Sequence, residues 1–293
     1  MKPELLLDVK NAVGECPTWC VKEQVLYWED ILAPALFRWD PKTNEVRRWD
    51  MPETIGSFGL REQGGLIVAL RTGVYLFDPE TEALTLFANP EPNKPENRLN
   101  DGKVGPDGRF WVGSMHDVPV GPQTRPTGAL YCIEPDGSVR KMLEGILCSN
   151  GLAWSPDGRT MYFSDSRAPY IKAFDYDVET GELSNERMLA QPAEAVGRPD
   201  GATVDAEGYY WSAGVSAGCL NRFSPSGELV EVLPVPTPSP TMPCFGGEDL
   251  KTLFITSHRQ SDAQPDDESA ATAGGVFTLK MPVAGVKTSY FLG

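Results

Sequence analysis

Short apolar runs alternate with polar turns along the whole chain, and no segment keeps the 3.6-residue period of a long amphipathic helix. The same pattern returns six times, as a glycine, a β-rich run, a polar turn and a second β-rich run. The marker glycines are separated by 42, 46, 49, 50 and 45 residues, and they are Gly14, Gly56, Gly102, Gly151, Gly201 and Gly246. Self-similarity at a period of about 40–50 residues is typical of a repeat architecture.

A second pattern follows each marker and is typical of a β-hairpin. It consists of two runs of β-branched or aromatic residues around a turn, as in GVYLFDPETEALTLF from Gly73 to Phe87. Each repeat therefore predicts two hairpins, which make one four-stranded antiparallel blade. Six such units predict an all-β, six-bladed β-propeller that forms a single domain over residues 1–293. The spare run Leu5–Leu7 is expected to pair with the last blade and close the ring.

Two segments depart from the repeat. LPVPTPSPTMP, from Leu233 to Pro243, is rich in proline, so it predicts an extended connection in place of a central strand. RQSDAQPDDESAATAGG, from Arg259 to Gly275, is polar and acidic and predicts a surface loop between strands of the last blade. The acidic residues of this loop lack a repeat phase and a coordinating pattern, so we do not expect them to form a metal site.

Composition and charge exclude several classes of function. Lys and Arg number 26 against 41 Asp and Glu, which gives a net charge of −15, and the basic residues are scattered, so nucleic acid is not expected as a partner. No apolar run approaches the roughly 18 residues of a membrane helix, and the N-terminal apolar stretch is too short for a signal peptide. We expect a cytoplasmic protein without a membrane partner, as a monomer or a weak homo-oligomer.

The cysteines and histidines limit the chemistry further. Six irregularly spaced cysteines without a Cys-x-x-Cys pair argue against a structural zinc site or a disulfide framework. Only His116 and His258 are present, which excludes a three-histidine zinc site and restricts Ser-His-Asp catalysis. His258 is expected to be structural.

Polar residues occupy one position of the repeat in four units. They are Glu15, the pair Asn100-Asp101, Asn150 and Asp200, each next to a marker glycine. In a propeller the same position of every innermost strand faces the central channel, so these side chains should converge. Carboxylates brought together repel unless a cation lies between them, and an all-oxygen set suits Ca²⁺, Mg²⁺ or Mn²⁺, with Zn²⁺ or Fe²⁺ bound less well.

A plainer interpretation is that these residues only form turns. Asn-Gly and Asp-Gly are common turn dipeptides. Their shared repeat phase favours the metal site, because a second set of turns lies downstream, at the opposite end of each innermost hairpin. Those later turns are expected to be structural, and they are Pro106-Asp107-Gly108, Pro156-Asp157-Gly158 and Ala206-Glu207-Gly208.

Several of these stretches together resemble the senescence marker protein-30/gluconolactonase family, which includes regucalcin and bacterial sugar lactonases. The resemblance runs from Gly14 to Ser257 and is carried by GECPTW, NRLNDGKVGPDGRFWVGSMHD, SNGLAWSPDG, PDGATVDAEGYYW and CFGGEDLKTLFITS. It implies a six-bladed propeller with one divalent metal ion in the channel. The family's metal ligands correspond to Glu15, Asn150 and Asp200, and its substrate-contacting Arg and Asn correspond to Arg98 and Asn100.

One departure from the family concerns the substrate. Some members have a substrate-contacting Glu shortly after a G-T-M turn, whereas this chain has Gly113-Ser114-Met115-His116-Asp117 and no Glu there. His116 is interpreted either as a structural loop residue or as a group that faces the substrate hydroxyls, because its loop should reach the metal-bearing mouth.

The first functional hypothesis is metal-dependent hydrolysis of a sugar aldonolactone to the open-chain acid. The metal would act as a Lewis acid, Arg98 and Asn100 would hold hydroxyls or the developing oxyanion, and Asp200 would be a ligand and the general base. The alternative is a non-enzymatic calcium-binding protein that uses the same site. A third possibility, an interaction scaffold, would lack tight metal binding.

Overall fold

The computed structural model describes residues 2–119, 121–259 and 268–293 and is built almost entirely of short strands. Side chains alternate between the two faces of each strand. The strands are four to eight residues long and end at turns that are rich in Gly, Asn or Asp. The strands are β1 (Glu4–Leu7), β2 (Gly14–Cys20), β3 (Val25–Asp30), β4 (Ala35–Asp40), β5 (Glu45–Asp50), β6 (Ile55–Leu60), β7 (Leu66–Leu70), β8 (Gly73–Phe77), β9 (Leu84–Ala88), β10 (Asn97–Val104), β11 (Phe110–His116), β12 (Gly128–Ile133), β13 (Val139–Ile146), β14 (Ser149–Trp154), β15 (Thr160–Asp165), β16 (Tyr170–Tyr176), β17 (Leu183–Ala190), β18 (Pro199–Val204), β19 (Tyr210–Gly214), β20 (Cys219–Phe223), β21 (Leu229–Pro234), β22 (Pro240–Gly246), β23 (Thr252–Ser257) and β24 (Val276–Lys280).

The strands form six antiparallel sheets of four in the described part of the chain, which confirms the predicted six-bladed propeller. Blades 1 to 5 follow the chain as β2–β5, β6–β9, β10–β13, β14–β17 and β18–β21. The innermost strands β2, β6, β10, β14, β18 and β22 contact one another around the channel, and β2 meets β22 to complete the ring. A 3₁₀ turn (Glu194–Val196) and a helix, α1 (Glu268–Ala271), are the helical elements of the described residues, and neither is long enough to cross a bilayer.

Blade 6 is closed by the N-terminal strand, as predicted, but this strand takes the place of the last strand of the hairpin expected there. Strand β1 pairs with β24, and Leu5 lies opposite Phe277, so β1 is the fourth strand of the blade. The second run of the expected last hairpin, after Pro282, forms no strand. The prediction of a complete hairpin there was wrong, because β1 already occupies the edge of β24 with which that run would pair.

The residues after β24 instead cross the end of the channel opposite the site described below. They bond to blade 5 and then to blade 2, through Val286 N–H to the Val204 carbonyl (3.2 Å) and Phe291 N–H to the Leu60 carbonyl (2.8 Å). The fully buried Phe291 ring packs in the core between blades 2 and 3. This segment lines a cavity of about 220 Å³ at that end, so the opposite end of the channel is the open one.

The proline-rich segment is only partly a connection. Residues 235–239 link β21 to β22, but Pro240 and Pro243 lie inside β22, the innermost strand of blade 6. The prediction that this segment contains no central strand was therefore wrong. Proline is tolerated there because an innermost strand pairs on one side only and its other edge faces the channel.

The acidic loop does connect β23 to β24, as predicted, and α1 lies within it. Asp262, Asp266 and Asp267 lie outside the described residues, so the expectation that they do not bind the metal stays a prediction. All six cysteines are free and buried, which confirms that no disulfide framework is present. The tryptophans pack between blades, as Trp111 does against Trp154 and Tyr176.

Candidate active site

A β-bulge lies in every innermost strand at the open end of the channel. The register shifts between Glu15 and Thr18 in β2, and the corresponding shifts lie at residues 99–102 in β10, 150–153 in β14 and 199–202 in β18. A bulge locally breaks the alternation of a strand and re-aims a side chain. The four polar positions of the repeat thus lie within strands, and the interpretation of their Asn-Gly and Asp-Gly pairs as turns was wrong.

Two glycines show why these bulges need small residues. Gly151 has a φ of 68°, in the left-handed region that favours glycine, directly after Asn150. Gly56 of β6 approaches β10 so closely that an added Cβ would lie 2.4 Å from the carbonyl oxygen of Leu99. The close approach packs β6 directly against β10 at Leu99 and Asn100. The later turns at residues 106–108, 156–158 and 206–208 lie at the opposite end, as predicted.

A cavity of about 290 Å³ opens between the bulges. Five of the predicted site residues line it, and these are Glu15, Arg98, Asn100, Asn150 and Asp200. Further polar side chains line it as well, and these are Asp101, Ser166, Arg167, Arg198, Thr241 and His258. Residues from blades 1, 3, 4, 5 and 6 therefore meet at one mouth, as the repeat phase predicted.

Three oxygen donors face this cavity from blades 1, 4 and 5. Glu15 is buried, and one of its oxygens accepts a hydrogen bond from the Cys16 N–H (2.8 Å), so the other stays available. Asn150 donates through Nδ2 to Ser166 Oγ (2.7 Å), which orients its carbonyl oxygen. Ser166 in turn donates to the Pro199 carbonyl (2.5 Å), so one hydroxyl links Asn150 to the residue before Asp200.

Burial and mutual repulsion disfavour the ionised form of the carboxylates in the cavity. Burial raises the pKa of Glu15 well above its usual range, and the charges of Asp200 and Asp101 raise it further. Burial and then the charge of Asp101 raise the pKa of Asp200 to about 8, against the opposing effect of Arg198. Burial also raises the pKa of Asp101, which Lys103 partly offsets. A cation between these groups would relieve the repulsion.

The donor set fits a hard divalent cation. Across the described residues, no three His, Cys, Asp or Glu side chains are grouped to hold a metal ion, so a ligand set here must include a neutral oxygen. Glu15, Asp200 and the amide oxygen of Asn150 provide two charges and three hard donors. Such a set suits an ion that keeps further positions for water and substrate.

Arg98 is held over the cavity by a small polar network. Its Nη1 donates to Asn100 Oδ1 (2.7 Å) and to the Leu99 carbonyl (3.0 Å), while Nε lies 3.4 Å from Asp117 Oδ1. Asn100 Nδ2 donates to the Ser149 carbonyl (2.8 Å), which ties β10 to β14. Asn100 therefore has a clear role in positioning Arg98, besides any contact of its own with a ligand.

His116 lies at the end of β11 but is not part of the cavity lining. Its Nδ1 accepts a hydrogen bond from the Arg125 N–H (3.1 Å), and its carbonyl oxygen accepts one from Arg167 Nη1 (3.1 Å). The substrate contact expected of His116 stays a prediction. The histidine that does line the cavity is His258.

Sequence reasoning missed several residues of the mouth. Cys148 lies between the two amides, with Asn150 Nδ2 at 3.6 Å and Asn100 Nδ2 at 3.9 Å from its sulfur, and burial raises its pKa to about 12. Arg167 and Arg198 also line the cavity. Neither arginine stands at the repeat position. In the sequence, the only indication of their role is that Arg198 stands two residues before Asp200 and Arg167 directly follows Ser166.

Comparison with known proteins identifies the family. Residues 13–259 match the model of the SMP-30/gluconolactonase/LRE-like region. The chain belongs to this family. A 6-deoxy-6-sulfogluconolactonase of Pseudomonas putida is 40% identical over 284 residues, which cover 97% of this chain and 96% of that protein. Regucalcin of Xenopus laevis is 34% identical over 296 residues, covering 100% and 99%.

Solved structures agree with this assignment. A calcium-binding protein, regucalcin from Agrobacterium tumefaciens, superposes with a TM-score of 0.91 at 27% identity, covering 99% of this chain and 97% of that one. A gluconolactonase from Xanthomonas campestris, with a TM-score of 0.75 at 24% identity over 96% and 90%, shows the same fold. The family resemblance predicted from the sequence motifs is thereby confirmed.

The raised carboxyl pKa values predict how pH and metal affect stability. Between pH 4 and 8 the native metal-free protein retains the Asp200 proton that the unfolded chain releases, so its free energy of unfolding falls as pH rises through this window. A cation bound there would replace that proton. At a metal concentration about 100 times the Kd at pH 8, we expect Tm to rise by about 5–10 °C at pH 8, and the same concentration to raise it by less at pH 5.

Calorimetric melting with chelator and with each of Ca²⁺, Mg²⁺, Mn²⁺, Zn²⁺ and Fe²⁺ measures this effect. A rise in Tm that is as large at pH 5 as at pH 8 would contradict the assignment of the two carboxylates as ligands. If none of the five ions raised Tm, the proposed metal site would be wrong.

Ser166→Ala is expected to weaken metal binding without touching a metal ligand. The variant removes the bond that orients Asn150, and loss of such a supporting contact typically weakens metal affinity about 10- to 100-fold. Isothermal titration of the metal-stripped protein measures the change. Ser155→Ala is the control, because Ser155 bonds only within the turn at the other end of blade 4. Equal affinities in both variants would contradict the role of Ser166.

Proposed function

We propose that this protein is a metal-dependent sugar lactonase that hydrolyses an aldonolactone to the open-chain aldonic acid. A divalent cation held by Glu15, Asn150 and Asp200 would supply Lewis-acid polarisation of the lactone carbonyl or of water. The reaction class follows from the family and from the named activity of the P. putida relative. One sugar lactone is the expected partner.

Asp200 has the properties of a general base at the mouth. Its carboxylate is half-buried and lines the same cavity as Arg98. The cation beside it would keep this carboxylate ionised at neutral pH, so that it could accept a proton. Asp200 would take a proton from the attacking water and later deliver it to the ring oxygen that leaves as a hydroxyl.

Arg98 is suited to stabilise the negative charge that develops during attack. Its side chain is only 13% exposed, and bonds to Asn100, to the Leu99 carbonyl and to Asp117 fix its position before substrate binds. Donors that are already oriented need no reorganisation in the transition state. Asn100 supports this arrangement through Oδ1, which leaves the remaining donors of Arg98 for the substrate.

The observation that carries the proposal is the meeting of oxygen donors from three blades with an oriented arginine in one cavity at the open end of the channel. The test is pH-monitored hydrolysis of a panel of pentono- and hexono-lactones, with chelator and after metal is restored. Hydrolysis that stops with chelator and returns with metal is expected. Hydrolysis that continues after full removal of the metal would overturn the metal dependence.

A non-enzymatic calcium-binding protein is the second candidate function. The similarity to regucalcins, one of which is described as calcium-binding, favours it. It predicts tight and selective Ca²⁺ binding together with no turnover of any lactone in the panel. The oriented pair of Arg98 and Asn100 argues for the enzyme, because a site that only stores a cation has no use for a fixed guanidinium beside it.

A further inference from the structure

The mouth of the channel is lined with arginines although the chain carries a net charge of −15. Arg98, Arg167 and Arg198 all line the cavity, and Arg71 lies beside it. They come from blades 2, 3 and 4 and from the start of blade 5. A concentration of positive charge at one opening of an acidic protein indicates a surface for an anionic ligand.

Two of these arginines share one carboxylate. Asp117 accepts a hydrogen bond from Arg71 Nη1 and lies 3.4 Å from Arg98 Nε. Burial lowers the pKa of Arg98, and the positive charges of Arg167 and Arg71 lower it further. The guanidinium groups therefore repel one another, and Asp117 balances only part of their charge.

The guanidinium of Arg167 has no carboxylate partner among the described residues, although the Arg167 N–H donates to Asp165 Oδ1 (2.9 Å). Its Nη1 donates to the His116 carbonyl (3.1 Å) and its Nη2 to the Val118 carbonyl (3.0 Å). Backbone carbonyls fix the direction of the guanidinium but leave its full charge uncompensated. An anchored and unpaired guanidinium at the rim of a cavity is prepared for an anionic ligand.

Arg198 adds a second positive charge to the mouth from the neighbouring blade 5. It stands two residues before Asp200 and is exposed, and within the described chain its guanidinium has no hydrogen bond or ion pair. It lines the same cavity as Asp200 and His258. Arg167 and Arg198 therefore line the cavity from neighbouring blades, and the hydrogen bond from Ser166 to the Pro199 carbonyl (2.5 Å) joins the residues next to them.

The carboxylates of the cavity would not neutralise this positive charge once a cation is bound. Glu15 and Asp200 would then be balanced by the divalent ion, and Asp101 is offset by Lys103. The positive charge of Arg167 and Arg198 stays in excess. This step rests on the proposed function, since it requires the metal to lie between the carboxylates.

We propose that Arg167 and Arg198 form an anion subsite that selects sugar lactones bearing a negatively charged group on the carbon outside the ring. Sulfonate, phosphate and carboxylate share the required chemistry, since each offers two or more oxygens to a guanidinium fork. A neutral lactone leaves both guanidinium groups facing water. The subsite therefore sets which lactone is preferred, while Arg98 and Asp200 carry out the reaction.

The test compares matched lactones that differ only in this group. Gluconolactone and its 6-sulfonate, 6-phosphate and 6-carboxylate counterparts are hydrolysed by wild type, Arg167→Gln, Arg198→Gln and the double variant. We expect wild type to prefer at least one charged lactone, and each single substitution to lower the charged-to-neutral ratio of kcat/KM by about 10- to 100-fold. The panel also shows which of the three anions is preferred.

Arg159→Gln is the matched control. Arg159 and Arg167 stand at opposite ends of β15, so both substitutions remove one positive charge from blade 4, but only Arg167 lies at the mouth. The control should keep the wild-type ratio. A wild-type preference for the neutral lactone, or a ratio that is unchanged in the double variant, would overturn the subsite.

A binding measurement separates failure of the subsite from failure of the proposed function. If no lactone is turned over, the proposed function fails, and calorimetric titration with gluconate and with gluconate carrying a 6-sulfonate still tests the arginines. Tighter binding of the sulfonate, weakened by added salt and lost in the double variant, supports the subsite. Equal binding of the two acids contradicts it.

Discussion

Asp200→Asn is expected to lower kcat by about 100- to 10,000-fold at saturating metal, the range for loss of a positioned general base. Asparagine keeps an oxygen that can coordinate, so the variant should still load with metal, although less tightly. It cannot accept a proton near neutral pH. The substitution therefore removes the proton acceptor and keeps a coordinating oxygen. Steady-state kinetics together with elemental analysis of the loaded variant measures both parts.

Asp157→Asn is the matched control for this substitution. Asp157 stands in Pro156-Asp157-Gly158 and Asp200 in Pro199-Asp200-Gly201, so the local sequences are the same. Asp157 lies in a turn at the far end of the channel and bonds to Ser155 and Arg159. The control should keep wild-type kinetics. Full activity of Asp200→Asn once metal is raised would make Asp200 a ligand only, with the base elsewhere.

The repeat explains why the fold could be predicted from sequence. Six units with the same order of apolar runs and turns specify six similar blades, and a blade cannot bury both of its faces alone. The predictions that were wrong concern segments where the repeat is interrupted. The Leu5 strand takes the place of a fourth strand in blade 6, and Phe291 is buried between blades 2 and 3, far from β24. Such non-local pairings leave no periodic signal.

The site could be predicted only where the repeat carries it. Glu15, Asn150 and Asp200 share a phase, and the innermost strands bring equal phases to one axis. The phase does not reveal that these residues lie in bulges. Pro156-Asp157-Gly158 and Pro199-Asp200-Gly201 illustrate this, because the first is a turn and the second lies in a strand with a shifted register. The difference comes from the packing of neighbouring blades around the channel and not from the local residues.

The arginines of the mouth could not be predicted in this way. Arg167 follows the end of β15, and Arg198 precedes the start of β18, so they occupy connections of different length. Their convergence depends on the path of each loop. Loop residues on a rigid scaffold are where specificity varies most easily, which agrees with their proposed role in selecting the substrate.

Arg98→Ala is expected to lower kcat/KM by about 10- to 1,000-fold, because it removes the oriented cation that faces the developing negative charge. The metal should stay bound, since Arg98 holds none of the proposed ligands. Kinetics on the lactone panel and titration of the metal measure the two effects. Arg38→Ala, which removes a half-buried arginine paired with Glu23 at 3.2 Å in blade 1, is the control and should keep wild-type kinetics.

Asn100→Ala should damage turnover through Arg98, because Asn100 Oδ1 holds Arg98 Nη1 at 2.7 Å. Removing either partner breaks the same contact, so the losses should not add. The double variant is expected to be no slower than Arg98→Ala alone, within about threefold. Losses that multiply would show that Asn100 contacts the substrate independently of Arg98. Wild-type kinetics in both single variants would show that Arg98 and Asn100 take no part in catalysis. Another residue at the mouth would then have to stabilise the oxyanion.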